Sequence, residues 1–197
     1  MTILQESDLQ FQFNKEWRIK KYDATDYYLA ISGSGMSAVD FVGLWRNTVV
    51  FIEVKNYRNR PQSELTRSQS KLTGDMPPLV STFAEKVRES IVGISVIRKF
   101  LLRKWIYKHM DKLLTYPRLL PYLLGFEQLF WMYLDRKIKA NPAQVHLILW
   151  LEVPEELQPM TYSFRHKLVA ELSSQFNKVE VGNVEMKHLF DGSISTT

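Results

Sequence analysis

AVDFVGLWRNTVVFIEVKNYR, residues 38–58, decides how this chain is read. Two runs rich in Val, Phe, Ile and Leu flank Arg46-Asn47, which has the form of a two-residue hairpin turn. Residues 37–45 and 48–56 are therefore expected to be antiparallel strands. If Trp45 faces Thr48, the pairing runs outward through Gly43 with Val50 and Val42 with Phe51, and Asp40 meets Glu53. Lys55 lies two residues beyond Glu53 and shares its face. Charge is costly among apolar side chains unless it is paired, and like charges directly opposite one another weaken a sheet.

Two readings account for that cost. In the first, Asp40 and Glu53 hold a hard divalent cation, Mg²⁺ or Mn²⁺, through carboxylate oxygens, with Lys55 beside it. Such a site suits phosphodiester hydrolysis: the cation polarises a phosphoryl oxygen and activates a water, and the lysine stabilises developing negative charge. In the second, one of the acids makes an ordinary ion pair with Lys55 on the solvated face of an edge strand.

Upstream, residues 1–22 are mixed and polar, with FQF and EWRIKKY able to form strands, and DATDYYLAIS reads as a short helix capped by Asp23. Downstream, residues 58–78 form a long polar stretch rich in Ser, Pro and Gly, of the kind that is often functional or disordered. A helix follows, with Phe83, Val87, Ile91, Ile94 and Leu101 on one face. AQVHLILWLEV, residues 143–153, is bounded by Pro142 and Pro154 and reads as a central strand covered on both sides. A helix with Phe164, Leu168, Leu172 and Phe176 at four-residue steps and a last strand in 177–189 complete a mixed α/β order.

The hairpin resembles the active-site hairpin of the PD-(D/E)XK nuclease superfamily, whose fold is restriction-endonuclease-like. Asp40 matches the first acid of that pattern, Glu53 the second and Lys55 the lysine; Val39 stands in place of the proline. KYDATDYY at 21–28 and AEKVRESIVG at 84–93 look like segments of a bacterial subgroup of that superfamily. The resemblance covers residues 20–100, extends loosely to 144–178 and does not reach 101–140. It implies a mixed central sheet flanked by helices, and a single nuclease-like domain with a helical insertion at about 101–140. It also implies Asp40, Glu53 and Lys55 as catalytic residues, with Asp40 and Glu53 binding Mg²⁺ or Mn²⁺. A further acid from the first helix would be Asp23 or Asp26, with Glu16 behind them; Asp23 as a plain helix cap is the other reading. Lys86 and Arg88 are either phosphate contacts or solvated helix charges. The implied partner is nucleic acid, DNA before RNA, and a homodimer would serve double-strand cutting.

Composition sets the outer bounds. The chain has 197 residues, enough for one domain with a core, and a formal charge of +5, which permits an anionic partner without requiring one. There is no cysteine, so disulfides, thiol catalysis and thiolate-bound zinc are excluded, and a reducing cytoplasm is expected. The four histidines, at 109, 146, 166 and 188, show no ligand spacing, and His146 is expected to be a satisfied buried polar group. Trp45, Tyr57, Trp105 and Trp131 are candidates for base stacking, with core packing as the ordinary alternative. Residues 113–134 approach the length of a membrane span, but Pro117, Arg118, Pro121 and Glu127 interrupt them, so covering helices are expected and no membrane.

Overall fold

The computed structural model describes residues 1–33, 35–58, 77–155, 158–173, 176, 178–182 and 194–196, with backbone alone at 77, 78, 143, 159–165, 195 and 196. Its centre is a five-stranded mixed sheet in the order β3-β4-β5-β6-β7. Strands β3 (Trp17–Lys21), β4 (Phe41–Trp45) and β5 (Thr48–Asn56) run antiparallel in turn. Strands β6 (Val145–Glu152) and β7 (Lys178–Gly182) then add in parallel. A parallel step needs a crossover. Among the described residues, the crossover between β5 and β6 includes α2 (Pro77–Leu101), α3 (Trp105–Leu113), α4 (Leu120–Leu123) and α5 (Glu127–Ala140), and that between β6 and β7 includes α6 (Gln158–Leu172).

The hairpin has the expected register: Trp45 pairs with Thr48, Gly43 with Val50 and Val42 with Phe51. Arg46 takes a positive φ of 52°, as a tight turn demands. The ladder stops at Phe41 with Ile52, so residues 37–40 fall outside strand β4 and Asp40 stands one step past the last pair. All eight residues of β6 are buried, because its neighbours β5 and β7 close both edges and both faces are covered.

Strand alternation divides the core in two. Val42, Leu44, Val49, Phe51, Leu147, Leu149 and Leu151 face the helices, where Phe83, Val87, Ile94, Trp131, Leu134, Leu168 and Leu172 meet them. Phe41, Val50, Ile52, Val54, Ile148 and Trp150 face the other way. They pack on a second sheet, β1-β2-β8, formed by Thr2–Glu6, Leu9–Phe13 and Ile194–Thr196. Phe11 lies edge-on to Phe41 and Trp150, each at 5.3 Å between ring centres. The order is thus helices, five-stranded sheet, three-stranded sheet.

Several sequence expectations change in detail. Helix α1 (Asp26–Ser32) is capped by Thr25, whose hydroxyl accepts from Tyr28 N at 3.3 Å; Asp23 lies in a preceding 3-10 turn and is not the cap. Residues 59–76 of the long polar stretch lie outside the described residues, as do His188 and the Phe164 side chain. The 113–134 segment splits. Leu129 to Leu134 are core in α5, whereas much of 115–126 is exposed, and no described helix is long and apolar enough to cross a membrane. His146 is buried, and its Nε2 lies 3.5 Å from a Glu180 carboxylate oxygen on β7.

Gly43 marks the tightest approach in the sheet. A Cβ there would lie 2.9 Å from the Arg18 carbonyl oxygen and 3.1 Å from the Ile19 side chain on β3. Backbone cannot yield as a flexible side chain can. Gly43→Ala is therefore expected to destabilise the protein by about 1–3 kcal/mol, read as a lower urea midpoint at unchanged slope.

Candidate metal and phosphoryl-transfer site

Strand alternation places Glu53 and Lys55 on the helix-facing side of the sheet, together with Val42 and Phe51, while Asp40 lies just past the end of β4. Asp40 is 7% exposed and Glu53 1%. The Asp40 Oδ2 accepts a 2.6 Å hydrogen bond from Val54 N, which fixes the carboxylate at the open end of the hairpin. On the same edge, Tyr22 N donates to the Asp40 carbonyl at 2.8 Å and ties the 3-10 turn to β4. That turn brings Asp23 to Asp40.

The third acid is Glu6. Carboxylate oxygens of Glu6, Asp23 and Asp40 all lie within 4.8 Å of one another. Glu6 ends β1, just before Ser7 and Asp8, whose φ values of 51° and 63° close the β1–β2 turn. Asn56 at the end of β5 donates to the Ser7 carbonyl at 2.8 Å, and Lys21 of β3 donates to the Gln5 carbonyl at 3.1 Å and pairs with Glu6 at 2.8 Å. These contacts dock the hairpin tip beside the main sheet. A cleft of about 560 Å³, lined by Gln5, Glu6, Asp8, Gln10 and Lys21 among others, opens there.

Glu53 is outside that mutual trio. Its Oε1 accepts from Lys55 and, at 2.7 Å, from Lys86 of α2, while its buried Oε2 has no partner among the described residues. Lys86 thus reaches the site from the helix, as a partner of Glu53. Arg88, two residues on, is exposed and outside it; Asp26 begins α1 and Glu16 pairs with Arg46 at 3.4 Å near the hairpin turn.

The electrostatics follow from this crowding. Burial, then the neighbouring Glu53 charge, pushes the Asp40 carboxyl up to about 7, against the Val54 hydrogen bond and the Lys86 charge. Burial also raises Asp23, with Glu6 and Glu53 adding to it and Lys21 and Lys86 opposing it. Glu6 moves the other way: burial works against it, but hydrogen bonds from Lys21 and Ser7 hold it below its ordinary value.

A hard divalent cation fits this donor set. Every donor is a carboxylate oxygen, two acids are held above their ordinary range by burial and then by neighbouring carboxylates, and Asp23 Oδ1 and Glu53 Oε2 are buried without hydrogen-bond partners among the described residues. The sequence pattern pointed to Asp40, Glu53, Lys55 and the optional Asp23; it missed Glu6. The signal for Glu6 was the alternating TILQE and LQFQF around Ser7-Asp8, a hairpin whose tip carries an acid.

Comparison with known proteins adds little to this geometry. No family model matches the chain, and no solved structure matches it. In an alignment 138 residues long that covers 57% of the chain, it is 26% identical to the cysteine–tRNA ligase of Neisseria meningitidis serogroup A. The chain spans 19% of that ligase's length.

Proposed function

We propose that this protein is a metal-dependent nuclease of restriction-endonuclease-like fold, hydrolysing nucleic-acid phosphodiester bonds. The observation that carries the proposal is the convergence of Asp40, Asp23 and Glu6, with Glu53, Lys55 and Lys86 alongside, at one buried end of a hairpin. The sheet order, with an antiparallel β3-β4-β5 unit continued in parallel by β6 and β7, supports the fold assignment.

Asp40 and Asp23, with Glu6 or the free Glu53 oxygen, would hold Mg²⁺ or Mn²⁺. The cation would supply a Lewis acid for the phosphoryl oxygen and a bound water of lowered pKa. The remaining work falls to the chain. Val54 N fixes the Asp40 carboxylate, Lys86 steadies Glu53, and Lys55 is the ammonium that can turn from Glu53 to a phosphate oxygen gaining charge in the transition state.

The test is a panel of duplex, single-stranded and branched DNA and of RNA, assayed with Mg²⁺, Mn²⁺ and a chelator. The likeness to a cysteine–tRNA ligase is a reason to include transfer RNA. Cleavage that stops on chelation supports the proposal. Lys55→Ala should lower cleavage by about 10²–10³-fold while calorimetric Mn²⁺ affinity changes little, because Lys55 is not a ligand. Equal loss of both would make Lys55 a structural partner of Glu53 only.

A second reading is favoured by one observation: two lysines already neutralise Glu53. On this reading the domain is a non-catalytic module that binds nucleic acid or protein. Metal binding with no substrate cut anywhere on the panel would select it.

A further inference from the structure

The helical insertion carries the charge of the whole chain. Residues 101–140 contain eight lysines and arginines and three acids, Asp111, Glu127 and Asp135, a net of +5, which is the formal charge of all 197 residues; the remainder is balanced. Asp111 is turned inward, bonded to Arg98 at 2.8 Å. Tyr107 and Met110 pack against the core from the same helix. The opposite side of α3 is therefore the outward one.

That outward side has two parallel rows. Lys104, Lys108 and Lys112 recur at one-turn spacing, all exposed, and none is paired with a carboxylate among the described residues. The adjacent row is Trp105 and His109, whose rings meet edge-on at 5.5 Å, followed by Leu113. Trp105 is 72% exposed, and Tyr122 of α4, at 77%, continues the aromatic surface with Tyr116 and Phe126. In this patch the aromatics are the most exposed apolar groups, and the aliphatics Ile106, Leu113 and Leu119 are all less so.

We propose that this face binds single-stranded nucleic acid, with phosphates on the lysine row and bases stacked on Trp105 and the neighbouring aromatics. A single strand presents charge along one side and flat π-faces along the other, and the two rows match that division. The net positive charge disfavours a second copy of this chain on the same face, since both would carry it. The inference rests on the nucleic-acid part of the proposed function and not on catalysis.

The experiment is fluorescence anisotropy with labelled oligodeoxythymidine and oligouridine of about 20 nucleotides, long enough for such a site, in chelator so that cleavage plays no part. The full chain, its Lys104→Ser/Lys108→Ser/Lys112→Ser variant and Trp105→Ala are compared, with duplex DNA and phosphatidylserine vesicles as further arms. The triple variant should bind about tenfold or more weakly, with a salt slope smaller by about 2. Trp105→Ala should weaken binding about fivefold or more with the slope unchanged. Urea midpoints should match throughout, since the altered side chains are exposed. The DNA and RNA arms decide which polymer is preferred. Oligonucleotide binding indifferent to these residues overturns the proposal. So does a duplex preference that ignores Trp105, or dependence on these residues for vesicle binding alone, which would make the face a membrane contact. Binding without cleavage on adding Mn²⁺ leaves this proposal standing and removes the nuclease reading.

Discussion

Asp40→Asn should abolish both metal binding and cleavage, and should make the metal-free protein more stable near neutral pH. Asparagine keeps an oxygen to accept the Val54 hydrogen bond, so local geometry survives. It removes a negative charge from a site where burial and Glu53 already hold the carboxyl at about 7. The sign follows from linkage. The folded-state value lies above the unfolded value of 3.8, so the folded protein holds this proton more tightly. The stabilising effect of that proton is full below about pH 4, declines as pH rises, and is gone above about pH 7. The scale is about 4 kcal/mol at most. Metal-free wild-type protein should therefore lose thermal stability between about pH 4 and 7, and Mn²⁺ should restore it most strongly at the upper end and above. Asp40→Asn should flatten that decline and show no Mn²⁺ response, with cleavage lower by about 10³-fold or more, the order expected when a cation's Lewis-acid contribution of several kcal/mol is lost. Melting curves across pH, with and without Mn²⁺, check this. A variant that binds Mn²⁺ as the wild type does would place the metal elsewhere.

Glu53→Gln should also silence cleavage, but with the opposite effect on stability. The Glu53 Oε1 is the shared acceptor of Lys55 and Lys86, whose side chains are only 27% and 20% exposed. A neutral amide takes from two ammonium groups the carboxylate that both are bonded to. Both lysines can swing partly into water, so the cost is about 1–3 kcal/mol, less than for a wholly buried pair. The two substitutions remove one charge each from the same site. Asp40 is one acid too many without a cation, whereas Glu53 is the acid that two cations require. Urea melts of the metal-free variants at pH 8 should therefore move in opposite directions. Movement of both in the same direction would show that Asp40 and Glu53 do not occupy the distinct electrostatic positions described here.

What the sequence determined by itself was whatever rests on local periodicity. The Arg46-Asn47 turn, the register from Trp45–Thr48 to Val42–Phe51 and the shared face of Glu53 and Lys55 follow from period-two alternation about a two-residue turn, whereas the expected pairing of Asp40 with Glu53 does not form because the ladder ends at Phe41 with Ile52. The buried β6 follows from an unbroken apolar run between two prolines, and the core face of α2 from helical spacing. What only the tertiary structure decided lies between segments distant in the chain. Pairing of β2 with Ile194–Thr196 creates the second sheet, and no local pattern announces a partner some 180 residues away. Docking of the β1–β2 tip on Asn56 and Lys21 carries Glu6 to Asp40, and the path of α2 across the sheet turns Lys86 toward Glu53. Near the turn before α1, Asp23 and Thr25 compete in sequence for the capping role. The bond from Tyr22 N to the Asp40 carbonyl settles the turn beside β4, so Thr25 caps the helix and Asp23 is left for the carboxylate cluster. Periodicity tells a side chain which face it occupies, but the groups that will share that face's charge are chosen by packing between remote segments.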